Sequence, residues 1–182
     1  MYKIKFKNGT EKEFGSLEGA DLKDADLRYA NLCCVNLRSA NLKDADLSYA
    51  FVGSAKLNEA DLNGANLSNA SFHWADLNGA DLSGANLRNA NLHCADLRAT
   101  DLRGAHLEGA DLTNANLDYS VLPLWCGGLN MKIDAMIARQ LVYHAFAQEC
   151  DDPEYQRLKE LCKDFANKFH RVESEDCKKL GD

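Results

Sequence analysis

Residues 80–84 read Ala-Asp-Leu-Ser-Gly, and this five-residue pattern repeats in one frame along more than half of the chain. Every fifth residue from Leu17 to Leu122 is large and apolar, and 20 of these 22 positions are Leu, the exceptions being Val52 and Phe72. A small residue, usually Ala, lies two positions before each of them, and Asp or Asn usually lies between. A period of five matches neither the 3.6 of a helix nor the 2.0 of a strand.

The two inward positions in each repeat predict that the chain turns a corner once every five residues. Small Ala and large Leu then point alternately to one axis, and the other positions face outward. Successive coils hydrogen-bond at the strand spacing of about 4.8 Å, which leaves no side edge unpaired. The spacing therefore predicts a solenoid with a narrow apolar core.

The repeated A(D/N)LXX pattern resembles the pentapeptide-repeat family over residues 15 to 122, in 22 consecutive repeats without an insertion. The resemblance implies an all-β solenoid, a right-handed quadrilateral β-helix. Four repeats per coil then give about five and a half coils, and residues 20 apart stack one above another.

The N-terminal flank, residues 1–14, is predicted to form a β-hairpin cap. Apolar Tyr2, Ile4 and Phe6 alternate with Lys, and Asn8-Gly9 predicts a type I′ turn before the chain returns. A solenoid exposes its coil ends, and caps prevent end-to-end association.

The C-terminal flank is predicted to form a two-helix cap over residues 123–172, followed by a flexible charged tail over 173–182. Asp152 and Pro153 have the pattern of a helix start. If the second helix leaves the first uncovered, the exposed apolar stripe pairs two molecules. The sequence leaves open a monomer or a homodimer through the C-terminal helices.

Composition excludes several classes of protein. The net charge of −7 argues against direct nucleic-acid binding, which requires a basic face. No apolar run approaches the ~20 residues that span a bilayer, and the N-terminus lacks a signal-peptide core. The seven cysteines include no CxxC pair, and reduced thiols predict a cytoplasmic location.

No enzymatic motif is present: the sequence contains no nucleophile elbow, P-loop, dinucleotide fingerprint or zincin helix. We therefore expect no catalysis and no cofactor. His73, His93 and Cys94 are the types of residue that bind soft metals, but three ligands on a nearly flat ladder do not surround an ion tetrahedrally. No metal site is predicted.

One outward column, on the side that begins at Asp21, is acidic. It contains four aspartates, Asp21, Asp61, Asp81 and Asp101, with Asn41 between the first two. Like charges about 5 Å apart repel, so a cationic partner could gain by meeting them. The alternative is that the repeat demands Asp or Asn at this position and the charge is incidental.

A second column set, on the side that begins at Asn31, carries aromatic and thiol groups. The candidate partner-binding residues are Phe51, His73, Trp74, His93 and Cys94. An exposed aromatic strip is a plausible contact surface. Cover by the terminal elements, or tolerated substitution, is the competing interpretation. Tyr29 and Tyr49 are predicted to stack as simple packing.

These features support two functional hypotheses. The first is a non-catalytic binding or scaffold protein that presents a rigid solenoid face to a partner protein. The alternative is an acidic DNA mimic, because the resemblance includes acidic members that occupy the DNA site of type II topoisomerases such as gyrase and change quinolone sensitivity. An enzyme or metalloprotein rests on His73, His93 and Cys94 alone. The outward residues do not name the partner.

Overall fold

The repeats form a stack of coils in the computed structural model, which describes residues 1–121. Isolated parallel β-bridges join residues 20 apart, from Asp21–Asn41 at one end to Asp101–Val121 at the other. Leu22 donates its amide to the Asn41 carbonyl at 2.7 Å, and Asn41 donates to Ala20 at 2.9 Å. Each coil therefore contains four repeats, and the stack is a parallel β-solenoid.

Every repeat makes one tight turn. The alanine amide donates to the leucine carbonyl three residues earlier, as from Ala85 to Leu82 at 3.0 Å. The residue just before the alanine has a positive φ in every repeat from 19 to 119, for example 58° at Asp24 and 68° at Gly84. A positive φ at the third turn residue alone is the pattern of a type II turn. Four such turns give the coil its four sides.

The sides and coils are named by residue number. Sides 1, 2, 3 and 4 begin at residues 21, 26, 31 and 36, and each recurs every 20 residues. The first to fifth coils begin at residues 21, 41, 61, 81 and 101, and residues 16–20 form side 4 of an incomplete coil before them.

The core consists of the inward leucines and alanines. Leu22, Leu62 and Leu82 have no exposed surface, and the two exceptions to the leucine rule, Val52 and Phe72, are equally buried. Each such side chain contributes about 2 kcal/mol when removed from water. The inward positions of the described coils thus form one continuous apolar column.

Thr100 replaces an inward alanine and is fully buried. Its Oγ1 donates to the Leu77 carbonyl at 2.9 Å. This hydrogen bond satisfies the hydroxyl, which would otherwise cost about 1–3 kcal/mol to bury.

The N-terminal residues form a β-hairpin of β1 (Tyr2–Phe6) and β2 (Glu11–Phe14), paired antiparallel. The predicted type I′ turn is wrong. A type I′ turn needs a positive φ at both central residues, but of Asn8 and Gly9 only Gly9 has one, 86°. The Gly9 amide donates to the Phe6 carbonyl at 2.8 Å. This is a three-residue loop with Gly9 in the bulge position. Asn8 instead keeps a negative φ, and its Oδ1 accepts hydrogen bonds from the amide and hydroxyl of Thr10 at 3.0 and 2.7 Å.

The hairpin lies across the first coil. β1 pairs antiparallel with β3 (Ala25–Asp26), and the sheet order is β2-β1-β3. Ile4 and Phe6 are buried, each 6% exposed. Because β3 is the start of the ladder on side 2, β1 covers an edge that would otherwise present unpaired backbone groups.

The predicted C-terminal cap over 123–172 and the tail over 173–182 lie outside the described residues, and so does Leu122. The total of about five and a half coils stays a prediction for the same reason. Within residues 1–121, no helix is long and apolar enough to cross a membrane.

The positive φ at the turn predicts opposite effects for two substitutions. Ala99 has a φ of 54° and Gly84 a φ of 68°, and a Cβ built on Gly84 meets nothing within 4 Å. We expect Ala99→Gly to raise the free energy of unfolding and Gly84→Ala to lower it, each by about 1 kcal/mol, because the strain is in the backbone alone. Urea midpoints measure both, and shifts of the same sign would contradict the prediction.

Candidate functional site

The Asp or Asn before each leucine has a structural role. Its side-chain Oδ1 accepts the backbone amide two residues on, from Asn63 to Asp61 at 3.0 Å and from Ser83 to Asp81 at 2.8 Å. Asn does the same, since Asn91 accepts the amide of His93 at 3.0 Å. This is an Asx turn, in which either residue type serves. It explains why Asp and Asn interchange along the repeat.

The acidic column of side 1 is stacked as its spacing predicts. Bridges join Asp61 to Asp81 and Asp81 to Asp101. Besides the Asx contact, Asp101 pairs with Arg103 at 2.6 Å, and Asp21 accepts a hydrogen bond from Asn41 at 2.9 Å. Much of the hydrogen-bonding capacity of these carboxylates is therefore already used within the solenoid.

An arginine two residues after an aspartate forms an ion pair with it three times, at Arg28–Asp26, Arg98–Asp96 and Arg103–Asp101. Burial would raise the pKa of Asp96, but hydrogen bonds from the side chain and amide of Arg98 outweigh it and hold that pKa below 3.8. Arg103 likewise lowers the pKa of Asp101. These local pairs partly neutralise the acidic sides.

Charge is distributed unequally among the four sides over residues 15–121. Side 1 has six acidic and three basic residues, a net charge of −3. Side 4 has five acidic and three basic residues, a net charge of −2, and side 2 has three acidic and two basic residues, a net charge of −1. Side 3 has a single charged residue, Asp111 in the fifth coil. From Asn31 to Cys94, across four coils, side 3 carries no Asp, Glu, Lys or Arg.

The candidate partner-binding residues all lie on this uncharged part of side 3. Phe51 is 56% exposed and Trp74 is 61% exposed. The His73 ring packs edge-on against Trp74, with centroids 5.8 Å apart, and stacks on His93 at 5.2 Å. Cys94 is part-buried in the fourth coil. The structure therefore brings the predicted residues together on one surface.

Two further residues extend the aromatic surface, although their spacing alone suggests packing. Tyr29 and Tyr49 stack with centroids 5.1 Å apart, yet they remain 67% and 48% exposed. They lie at the corner between sides 2 and 3, two residues before Asn31 and Phe51. The signal was their turn position, which points a side chain outward at a corner.

Small side chains separate the aromatic groups. Gly53 lies between Cys33 and His73 in the stack, and a Cβ at Gly53 would lie 3.5 Å from the His73 carbonyl oxygen and 3.9 Å from Cys33 Sγ. Ser71 lies directly above Phe51 in the next coil. Side 3 is thus a flat sheet surface with alternating large and small groups.

Metal binding has no support on this surface. No group of three or more His, Cys, Asp or Glu among residues 1–121 is arranged to hold an ion. His73 and His93 stack with only 10° between their ring planes. Ring nitrogens bind metals in the plane of the ring, so stacked rings do not direct them at one point.

The fold is a four-sided β-solenoid: the chain makes one turn in each five-residue repeat, and four repeats form each coil. A sequence model described as pentapeptide repeats matches the chain in 8 copies, over residues 16–52, 53–84 and 80–118. The chain belongs to the pentapeptide-repeat family, and its fold is the right-handed β-helix of that family.

Several solved structures resemble this chain, and no functionally curated protein matches it significantly. A pentapeptide repeat protein of the Arabidopsis thaliana thylakoid lumen is 28% identical over 70% of this chain and 77% of that protein, with a TM-score of 0.54. Rfr23 of the cyanobacterium Cyanothece 51142 is 38% identical over 55% of this chain and 60% of its own, with a TM-score of 0.37. QnrB1, a plasmid-mediated fluoroquinolone resistance protein, is 24% identical over 64% of this chain and 68% of its own, with a TM-score of 0.48.

The lowered pKa of Asp96 predicts a loss of stability in acid. A carboxyl with a lowered folded-state pKa stabilises the fold fully above its unfolded-state value of about 3.9, and the effect is lost as the pH falls through the folded-state value. We expect Asp96→Asn, which keeps the Asx acceptor without the charge, to be less stable than the wild type at about pH 6, and we expect this difference to shrink as the pH falls below about 3.9.

Urea denaturation at several pH values measures this difference. Asp61→Asn is the control, because the residue two positions after Asp61 is Asn63 rather than arginine. A difference for Asp96→Asn that does not change with pH would contradict the prediction.

Proposed function

We propose that this protein is a non-catalytic binding protein that presents side 3 to a partner protein. The observation that carries the proposal is the uncharged surface from Asn31 to Cys94, with Phe51 and Trp74 exposed on it. Aromatic residues are enriched and charged residues depleted in the cores of protein interfaces. Docking on this uncharged part of side 3 therefore desolvates no charged group of that surface, whereas docking on the other three sides does.

Rigidity favours the same role. Backbone hydrogen bonds join side 3 of successive coils, for example from Val52 to Ser71 at 2.7 Å and from Ser71 to Ala50 at 2.9 Å. A preorganised surface loses little conformational entropy on binding.

A second candidate is the acidic DNA mimic, in which side 1 binds the DNA site of a type II topoisomerase. Its support is the net charge of −3 and the stack of Asp61, Asp81 and Asp101 in consecutive coils. It ranks second because Arg103 pairs with Asp101.

Affinity capture from a lysate tests the first proposal. We expect the double variant Phe51→Asn and Trp74→Asn to lose a protein that the wild type captures, because both changes remove aromatic contact area. Asn occupies the same repeat positions at Asn91 and Asn69, so the variant keeps suitable turn residues. Ala99→Asn, at an exposed turn on side 4, is the control. Identical sets of captured proteins for all three would argue against side 3.

A gyrase supercoiling assay, with and without a quinolone, tests the second candidate. We expect any inhibition or protection to weaken in the double variant Asp61→Asn and Asp81→Asn, which removes two charges while keeping both Asx turns. The Phe51 and Trp74 double variant should behave like the wild type. No effect of the wild type at micromolar concentration would eliminate this candidate.

A further inference from the structure

The large and small residues of side 3 change places between the second and third coils. In the second coil, Phe51 projects from the edge next to side 2, while Gly53 and Ser54 follow on the opposite edge. In the third coil, Ser71 lies at the first edge, and His73 and Trp74 lie at the second. The two coils therefore carry their bulk on opposite edges, diagonally across the middle of the uncharged surface.

We propose that the partner of side 3 is a second copy of this chain, docked antiparallel about a two-fold axis that crosses side 3 midway between the second and third coils. This inference rests on the proposed function and names the partner of the same surface. A two-fold interface uses one patch twice, so the patch must complement itself in both shape and charge.

The two-fold axis places large groups opposite small ones. It brings the second coil of one copy against the third coil of the other, so Phe51 faces Ser71 of the second copy. On the other edge, His73 faces Gly53 and Trp74 faces Ser54. The exposed aromatic side chains can then fill the spaces over Gly and Ser, as interior packing requires.

The outer coils agree with the same axis. The first coil of one copy meets the fourth coil of the other, so Asn31 faces Asn91 and Cys34 faces Cys94. At the corner next to side 2, Tyr29 faces the smaller Asn89. The uncharged surface runs from the first to the fourth coil, and its centre therefore coincides with the axis.

Charge favours a second copy as the occupant of side 3. The whole chain carries −7, and sides 1, 2 and 4 carry net charges of −3, −1 and −2, so each of these sides repels its own copy. Side 3 is uncharged over four coils. Beyond it, the antiparallel axis directs Asp111 toward the end that bears the hairpin, whose residues 1–14 have four lysines and two glutamates.

The area of the surface predicts a weak dimer. Four coils at about 4.8 Å give a patch about 19 Å tall. The patch is only one side of the solenoid wide. The total area that it buries therefore falls below the roughly 1,200–2,000 Å² that stable protein complexes bury. The dimer should therefore form reversibly and depend on protein concentration.

Sedimentation velocity of the full chain over a concentration series tests the proposal. We expect a monomer–dimer equilibrium that His73→Glu weakens by about tenfold or more, because it buries two like charges across the axis. Asn78→Glu is the matched control, since it adds the same charge at the same repeat position of the third coil on side 4. It should change the dissociation constant by less than about twofold.

Two outcomes of the sedimentation experiment would overturn the proposal. The first is a monomer at every concentration. The second is a dimer that His73→Glu leaves unchanged, which would favour the homodimer through the C-terminal residues. Far-ultraviolet circular dichroism and thermal unfolding verify that both variants are folded. If the wild type stays monomeric and the Phe51 and Trp74 double variant still loses a captured protein, the binding function stands and only self-docking fails.

Gly53→Leu separates a fitted interface from a generally sticky surface. The backbone at Gly53 is outside the positive-φ region, and its Cβ site has only ordinary contacts, so the substitution should fold. We expect it to weaken the dimer, because leucine fills the space that receives His73 of the second copy. A stronger dimer would indicate non-specific apolar association and contradict the proposal.

Cross-linking tests the orientation. A short bismaleimide should join Cys34 of one copy to Cys94 of the other, and mass spectrometry of the digested product identifies the pair. A parallel arrangement instead places Cys34 near Tyr29 and Cys94 near Asn89. Cross-linked dimer that lacks the Cys34–Cys94 product would overturn the antiparallel axis.

Discussion

The turn at the end of each repeat is the constraint on which the rest of the structure depends. The third turn residue, at every fifth position from 19 to 119, has a positive φ in all 21 repeats. Most residues other than Gly, Asn and Asp adopt this conformation at a cost of about 1–2 kcal/mol. Fifteen of these residues are not glycine, and none of them is Val, Ile or Thr, whose branched Cβ would add to the strain. The fold accepts this strain because each turn directs one alanine and one leucine into the core.

This constraint separates the residues that form the solenoid from those that distinguish it. Ala and Leu fill the core, and Asp or Asn closes the Asx turn, so a carboxylate such as Asp81 is explained by the fold before any partner is considered. Residues that depart from the pattern are the informative ones. Phe51 gives up the Asx hydrogen bond, and Trp74 places a large ring at a strained turn.

Sequence predicted the architecture well because its signal is periodic. The inward positions follow from counting in fives. The 20-residue stacking and the column on side 1 follow from the four-sided coil that the family resemblance implies. The hairpin turn was wrong because Asn8-Gly9 fits two loop types, and the choice depends on the strand register from Tyr2 to Phe14. The sequence shows Asp or Asn recurring every five residues, but the side-chain oxygen that accepts the amide two residues on was found only in the structure. The exposure of Tyr29 and Tyr49 was missed because aromatic residues 20 apart indicate packing, whereas their turn position places them at an exposed corner.

A rigid ladder also limits how this surface can achieve specificity. Backbone hydrogen bonds join side 3 of successive coils, so the surface cannot reshape itself around a partner as a loop does. Without charges from Asn31 to Cys94, electrostatic matching is also absent. Specificity must therefore come from the order of large and small side chains along the stack. The diagonal exchange of bulk between Phe51–Gly53 and Ser71–His73 supplies such an order, and a partner with a uniform surface would leave Gly53 and Ser71 poorly packed.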